Sequence, residues 1–343
     1  MHRADKAVLR LACGLGLAVL LAYGVPMSLS FAVCVMATLV LCRQGPPIPL
    51  AKGALLTAGA GAVVGAGMLM VPLLEHYPLA GVMLTGAILY VLFRPGGERV
   101  KPGTMVLVIA ITAIPVAGVA DQALASQLAK SFALGIGTGI LVSSLAHALF
   151  PDPPAPPPEA PPPAGTAPDN SKALQATLVV LPVFVLALTN PSFYLAAIIK
   201  SVGLAQQAGA ANAGSAGRQL VGGTLMGAWL AALAWLGLSL RPNLMMLALW
   251  VMLAALWCGA RLFGVKPTSQ PPSFWLNALM TMLILVGPAI EDSAAGKPVL
   301  QASAIRVTVL VALALYAWAT VWAMERSRAA RARTRTRSFP DNG

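Results

Sequence analysis

Charge is what this chain of 343 residues has least of: Asp, Glu, Lys and Arg together make up only 10% of it. A soluble globule uses about 25% charged residues to clothe its surface. Hydrophobic residues reach 58% and the mean hydropathy is +0.78, so the medium around this chain is lipid. Histidine is almost as scarce. The three His (His2, His76, His147) lie apart, with no H-E-x-x-H spacing, which excludes a metalloprotease and offers no metal site. Four cysteines, Cys13, Cys34, Cys42 and Cys258, form no C-x-x-C and read as small hydrophobes. There is no G-x-x-x-x-G-K-[ST] and no G-x-S-x-G, so neither ATP hydrolysis nor an embedded serine hydrolase is expected. The expectation is a chain that is not an enzyme and holds no cofactor.

Acidic residues are outnumbered, 11 against 23 Lys and Arg, for a formal charge of +12. Nucleic acid is not the implied partner. The basic residues stand singly between apolar runs, and the densest cluster, Arg326 to Arg337, directly follows one. That distribution is the positive-inside pattern of a membrane protein. The N-terminus, basic and then apolar from Leu9 to Tyr23, lacks a small-x-small cleavage site before Pro26 and is read as a retained helix.

What is present is apolar runs, twelve of them in two groups of six. The first group covers about 9–24, 27–42, 53–74, 79–93, 103–120 and 128–150. The second covers about 173–189, 192–207, 218–238, 244–263, 274–290 and 303–324. Between the groups, residues 151–170 contain ten prolines and read as a polyproline spacer. The groups resemble each other. Pro26 opens PMSLSFA and Pro191 opens PSFYLAA. Lys52 precedes GALLTAGAGAVVGA and Arg218 precedes QLVGGTLMGAWLA. Pro115 with Asp121 is matched by Pro288 with Asp292, and Lys130 before SFALGIGTG by Arg306 before VTVLVALAL. Internal duplication is a mark of transporter folds.

Leu9 to Cys42 would be about 51 Å long as one helix, too long for one span, so the Gly24–Pro26 and Asn190-Pro191 breaks predict hairpins of two short helices. With six spans per half, nineteen basic residues fall on one face, Lys200 and Arg218 among them. Only Lys130, Arg241, Lys297 and Arg306 fall on the other. The predicted fold is an all-α polytopic membrane protein of about twelve transmembrane helices in two parallel six-helix repeats. The repeats occupy 1–150 and 172–325, with a cytoplasmic linker at 151–171 and a basic cytoplasmic tail at 326–343. Both termini are expected on the cytoplasmic side.

Small residues recur every fourth position at Gly53, Thr57, Gly61 and Gly65, at Ser131, Gly135, Gly139 and Ser143, and at Gly223, Gly227 and Ala231. Such stripes let helices approach closely. Charges inside apolar runs carry more information, because each costs several kcal/mol to bury. Lys130 and Arg306, placed in the first turn of the last helix of each half with Arg306 the deeper, are candidate attractants for an organic anion. Asp121 and Asp292 are the repeated carboxylates able to accept a coupling proton. The competing reading is snorkelling at the membrane interface. Pro115 and Pro288 are expected to break the fifth helix of each half, and broken helices line transporter cavities. Arg218 opens a glycine-rich helix, either as a substrate contact or as a charge anchor.

Two six-helix halves, short hairpins first, Arg218 before QLVGGTLMG and Arg306 before VTVLVALAL together resemble the fusaric acid resistance protein-like superfamily, which includes the aromatic acid exporters. The chain departs from larger members in lacking a sizeable domain after either half. The resemblance implies an efflux component of the bacterial inner membrane, driven by the proton gradient and exporting aromatic or amphiphilic organic acids. It also implies a periplasmic adaptor of the HlyD-type membrane fusion class as partner, and it is compatible with a homo-oligomer. A non-transporting membrane scaffold and a membrane enzyme of lipid or cell-wall metabolism are the other classes the sequence leaves open.

Overall fold

The computed structural model describes residues 2–25, 29–43, 45, 47–94, 102–151, 170–210 and 213–337. Pro26, most of the proline-rich linker and the last six residues lie outside the described residues. Every regular element among the described residues is a helix. In order they are α1 (Arg3–Gly24), α2 (Ser30–Leu41), α3 (Leu50–His76), α4 (Pro78–Phe93), α5 (Pro102–Ala120) and α6 (Gln122–Leu149), then α7 (Asn170–Thr189) and α8 (Pro191–Ala210). After them come the short α9 (Ala213–Gly217), a π turn at Arg218–Gly222, α10 (Gly223–Leu240), α11 (Leu244–Leu262), α12 (Pro272–Ala294) and α13 (Val299–Arg337).

Seven of these segments are long and apolar enough to cross a membrane: α1, α6, α7, Gly214–Leu240, α11, α12 and the first 32 residues of α13. Ser30–Leu41, Pro78–Phe93 and Thr104–Ala120 are shorter apolar helices. At 1.5 Å per residue the 12 residues of α2 reach about 18 Å, well short of a hydrocarbon core of roughly 30 Å. The protein is thus an all-helical, membrane-embedded bundle.

Helix starts follow local chemistry. Pro78, Pro191 and Pro272 take first-turn positions where the missing N–H costs nothing. Asn243 caps α11 by accepting from the Met246 N–H at 2.7 Å. Asp121 caps α6 in the same way, accepting from Ala123 at 2.8 Å, and this moves the start of α6 to Gln122, earlier than the apolar run suggests. Lys130 accordingly sits in the third turn of α6, and Arg306 in the third turn of α13. Neither lies in a first turn, and Arg306 is the more buried of the two, half-buried where Lys130 is exposed.

Of the expected helix breaks, Pro191 is a real one: it separates α7 from α8, with Asn190 Oδ1 accepting from the Phe193 N–H at 3.3 Å. Pro115 and Pro288 are not breaks, because α5 and α12 run through them. Each removes a single intrahelical hydrogen bond, which packed neighbours tolerate in an apolar medium. Helix α13 continues unbroken past the last apolar run to Arg337, into the basic tail.

The bundle has a basic end. Lys6 Nζ in α1 donates to the Pro151 carbonyl just after α6, at 2.7 Å. At the start of α7, Arg94 Nε donates to Asn170 Oδ1 at 3.2 Å, and Arg328 Nε from α13 donates to Ser171 Oγ at 2.6 Å. Arg306 lies 22 residues before Arg328, about 33 Å along the helix, and residues 307–324 between them carry no charge. The two arginines therefore bracket one hydrocarbon thickness.

Packing is close where two of the glycine stripes meet neighbours. A Cβ on Gly139 would stand 3.0 Å from Ala37 Cα in α2, and one on Gly227 only 2.4 Å from the Ala278 carbonyl in α12. The stripe in α3 behaves differently: a Cβ on Gly53 would meet the Ile140 side chain of α6 at 2.7 Å, but Gly61 and Gly65 face open space, and further along it is Gly67 that lies against the Ala110 carbonyl of α5. At the centre lies α12, with 83% of its most apolar 18 residues buried. It packs on α10, α11, α2, α13 and α8.

Candidate functional site

Of the charged residues singled out by sequence, the structure brings one pair together. Arg306 Nη1 lies 2.5 Å from Asp292 Oδ2, with the Asp292 side chain 9% exposed and that of Arg306 21%. Asp292 stands near the end of α12 and Arg306 near the start of α13, so the pair closes the α12–α13 hairpin at the end opposite Arg328. The matching residues of the first half do not pair. Asp121 is an exposed helix cap, and Lys130 is exposed nine residues along the same helix, about 13 Å away. Arg218 is exposed at the first residue of the π turn. Three of the five candidates are thus surface groups.

The central polar site is one that charge counting missed. Lys200, placed by sequence among the basic-face anchors, lies mid-way along α8 and is 3% exposed. Its amine donates to Asn277 Oδ1 and to Thr281 Oγ1, both on α12. The network is closed around it. Thr281 Oγ1 donates to the Asn277 carbonyl at 2.6 Å, and Asn277 Nδ2 donates to the carbonyls of Gln219 and Leu220 at 3.2 Å each. Those two carbonyls belong to the π turn, whose wider coil is a feature common at functional sites. Gly223 makes the approach possible, since a Cβ there would meet Asn277 Nδ2 at 2.7 Å.

Spacing links this site to the ion pair. Asn277, Thr281, Leu285, Pro288 and Asp292 follow one another at steps of four, four, three and four residues, which keeps them on one face of α12. On α8, Phe193, Ala196, Ala197 and Lys200 share a face by the same rule. A narrow cleft of about 10 Å³ lies between these faces and α13, lined by Phe193, Ala196, Ala197, Ile284, Leu285 and Arg306. Pro288 lacks the N–H that would bond the Ile284 carbonyl, so the helix supplies an extra acceptor in this seam. From Thr281 to Asp292 the seam rises about 16 Å along α12. It carries a cation at mid-depth, an ion pair at one end and small or apolar side chains between.

The sequence signals for Lys200 were present. A lone lysine nine residues into an apolar run is not a loop anchor, and Asn277 with Thr281 is an i, i+4 polar pair within another apolar run. What sequence cannot supply is their partnership, which spans 77 and 81 residues.

Among the described residues no group of three or more His, Cys, Asp or Glu is placed to hold a metal ion. The chain is similar over residues 7–146 to the family described as Protein of unknown function (DUF2955), a match that begins in α1 and ends within α6. No curated protein and no solved structure matches it.

Proposed function

We propose that the protein is an efflux transporter of the bacterial inner membrane, exporting aromatic or amphiphilic organic acids at the expense of the proton gradient and working with a HlyD-type periplasmic adaptor. The observation that carries this reading is the seam between α8, α12 and α13, where Lys200 is held at mid-depth and Arg306 faces Asp292 at one end. Burying a lysine in a membrane protein is expensive, and such residues mark substrate or ion pathways.

Two parallel six-helix repeats fit the packing. Counting Gly214–Leu240 as one span, most helix pairings have a counterpart six spans on. α1 packs on α2 as α7 does on α8, and α3 on α5 as α10 does on α12. Pairings between halves also exchange: α1–α11 with α7–α4, and α5–α8 with α12–α2. The family match ends inside the sixth helix, which agrees with a half as the unit. In this arrangement the basic end is cytoplasmic and holds both termini.

The chemistry follows from competition for a guanidinium. With Asp292 ionised, Arg306 is neutralised internally and offers nothing to a substrate. A proton arriving from the outer side neutralises Asp292 and leaves Arg306 to attract the carboxylate that Lys200 holds deeper in the seam. When Asp292 gives up its proton toward the inner side, it reclaims Arg306 and the organic anion departs outward. One proton moving in is thereby tied to one anion moving out. This assigns proton coupling to buried Asp292, leaving Asp121 as a helix cap and Lys130 and Arg218 as interfacial charges.

The test is efflux of benzoate from proteoliposomes carrying an imposed pH gradient. The wild-type protein is expected to move benzoate only with the gradient, and Lys200→Met and Asp292→Asn to abolish the movement. Benzoate flux that persists in Lys200→Met protein at equal abundance would remove the seam as the path.

A further inference from the structure

A groove lies beside the seam, on the lipid-facing side of the bundle, where α7, α8 and α13 meet. Its volume is about 290 Å³, at the lower end of the roughly 300–1,000 Å³ typical of small-molecule pockets. Ala197 of α8 and Ala312 of α13 are too short to fill it, and Pro182 and Leu186 stand one turn apart along its α7 wall. Pro182, Leu186, Ala312 and Tyr316 are exposed, so the groove opens sideways into lipid. Its inner end is fixed by a hydrogen bond. Pro182 has no N–H for the Leu178 carbonyl, and the Tyr316 hydroxyl donates to that carbonyl instead at 2.8 Å, tying α13 to α7.

The groove leads to the ion pair. Ala197 and Val309 line both it and the narrow cleft beside Arg306. Arg306, Val309, Leu313 and Tyr316 recur at steps of three, four and three, which keeps them on one face of α13. From Tyr316 to Arg306 this face rises about 15 Å, half of a hydrocarbon core of roughly 30 Å. The groove thus spans one leaflet, apolar from mid-depth and cationic at the interface. An amphiphilic carboxylate dissolved in that leaflet lies the same way, head at the interface and tail toward the midplane. It can slide in sideways without turning. The apolar walls select nothing, because lipid tails are as apolar as leucine. Selection falls to Arg306. Among the described residues its one hydrogen bond runs from Nη1 to Asp292, and the rest of its forked donor set suits a carboxylate better than an alcohol or a zwitterionic head.

We propose that this groove is a side entrance from the bilayer to the seam, and that its ligand is a single-chain amphiphilic carboxylate drawn from the leaflet on the Arg306 side. The carboxylate sits on Arg306 and the chain runs along Val309, Ala312 and Tyr316. Asp292 competes for the same guanidinium, so the groove takes its ligand when Asp292 is neutral. The role of entrance rests on the reading of the seam as a carboxylate path, and it narrows the substrate to acids dissolved in the membrane; the binding itself does not depend on flux.

Radiolabelled decanoate is titrated into phosphatidylcholine nanodiscs holding the full-length protein, at constant pH and ionic strength, with empty nanodiscs as the background. Asp292→Asn keeps the competing side chain neutral. That protein is expected to bind decanoate saturably and about tenfold or more tighter than the wild type, the gain of one charge-assisted bond. Decanol, with the same chain and no charge, is expected not to displace it. Ala312→Trp, added to Asp292→Asn, fills the groove from an exposed position and is expected to weaken binding by about tenfold or more, the equivalent of about two displaced methylenes. Ala319→Trp, equally exposed two turns farther along α13 and outside the groove, is expected to change it by less than about twofold. Benzoate efflux separates this proposal from the transport reading. A single ring beside the carboxylate does not reach Ala312, about 9 Å below Arg306, so Ala312→Trp alone is expected to keep benzoate flux within about twofold of wild type. Decanoate binding as expected without any wild-type benzoate flux removes the transport reading and leaves the groove as an acid-binding site. The groove is overturned, with transport intact, if Asp292→Asn protein binds no decanoate saturably, if decanol displaces decanoate, or if the two tryptophan variants bind alike.

Discussion

Lys200 and Asn277 are hydrogen-bonded partners, yet removing one or the other is expected to change stability in opposite directions. Lys200→Met keeps the length of the apolar stem and deletes the buried ammonium. Thr281 still donates to the Asn277 carbonyl, and Asn277 still donates to the π-turn carbonyls of Gln219 and Leu220. The one group left short of a partner is Asn277 Oδ1, at a cost of about 1–3 kcal/mol. Against this stands relief of the desolvation of a buried cation, several kcal/mol in effective terms. The balance predicts a protein between unchanged and about 3 kcal/mol more stable. Asn277→Leu does the reverse: it leaves the ammonium with Thr281 Oγ1 alone and strips the donor from two π-turn carbonyls, for a loss of about 3–5 kcal/mol. The double variant is expected to recover most of that loss, a coupling that additivity cannot produce.

Thermal unfolding of the four proteins in one detergent measures the ordering, and benzoate efflux from liposomes gives the functional axis. Lys200→Met is expected to be inactive while at least as stable as the wild type, which separates a functional lysine from a structural one. If Lys200→Met loses more than about 2 kcal/mol, the lysine is an element of packing, and its loss of flux says nothing about a pathway.

The ion pair at the other end of the seam follows the same logic. Arg306→Ala is expected to lower stability by about 3 kcal/mol by leaving Asp292 buried and unpaired, and Arg306→Ala with Asp292→Asn to restore stability but not efflux. Arg306→Lys keeps part of the flux, whereas Lys130→Ala, at an exposed position, is expected to stay within about 0.5 kcal/mol and near wild-type flux. Gly227→Ala places a Cβ 2.4 Å from the Ala278 carbonyl and 2.5 Å from Thr281 Cβ, so about 1–3 kcal/mol of overpacking is expected from unfolding measurements, while Gly61→Ala, facing open space, should be near neutral. Reporter fusions after Arg43, within the 151–170 linker and at the C-terminus should all report the cytoplasm, and a fusion beside Glu75 or Asp292 the opposite side. A linker that reports the outer side would refute the six-span half.

Much of the fold is legible in the apolar runs, because a helix in lipid must be apolar throughout and the breaks between runs are sharp. The boundaries that differ have local causes. Asp121 recruits the mixed segment Gln122–Gln127 into α6 through its cap, and the Arg- and Ala-rich end of α13 favours helix without needing lipid. Pro115 and Pro288 look like breaks in sequence but act as single missing hydrogen bonds within packed helices. In the site, Arg306 and Asp292 stood out as charges beside apolar runs. Lys200 stood out less, because a long cationic side chain is ordinarily read as reaching for an interface, and whether it does depends on α12 lying against α8.

Under the duplicated reading, the polar chemistry is not duplicated with the scaffold. Aligning Pro115 with Pro288 sets Thr104, Val108 and Val119 of α5 opposite Asn277, Thr281 and Asp292 of α12. Pro26 with Pro191 likewise sets Val35 opposite Lys200. The seam of the first half therefore carries one hydroxyl, Thr104, and three valines where the second carries a lysine, an amide, a hydroxyl and a carboxylate. Its one buried hydroxyl in α5, Thr112, bonds back to the Val108 carbonyl of its own helix at 2.8 Å. Symmetric packing with asymmetric polarity argues for one path per chain rather than two, because a second seam without a cation has nothing to hold an anion against the cost of hydrocarbon.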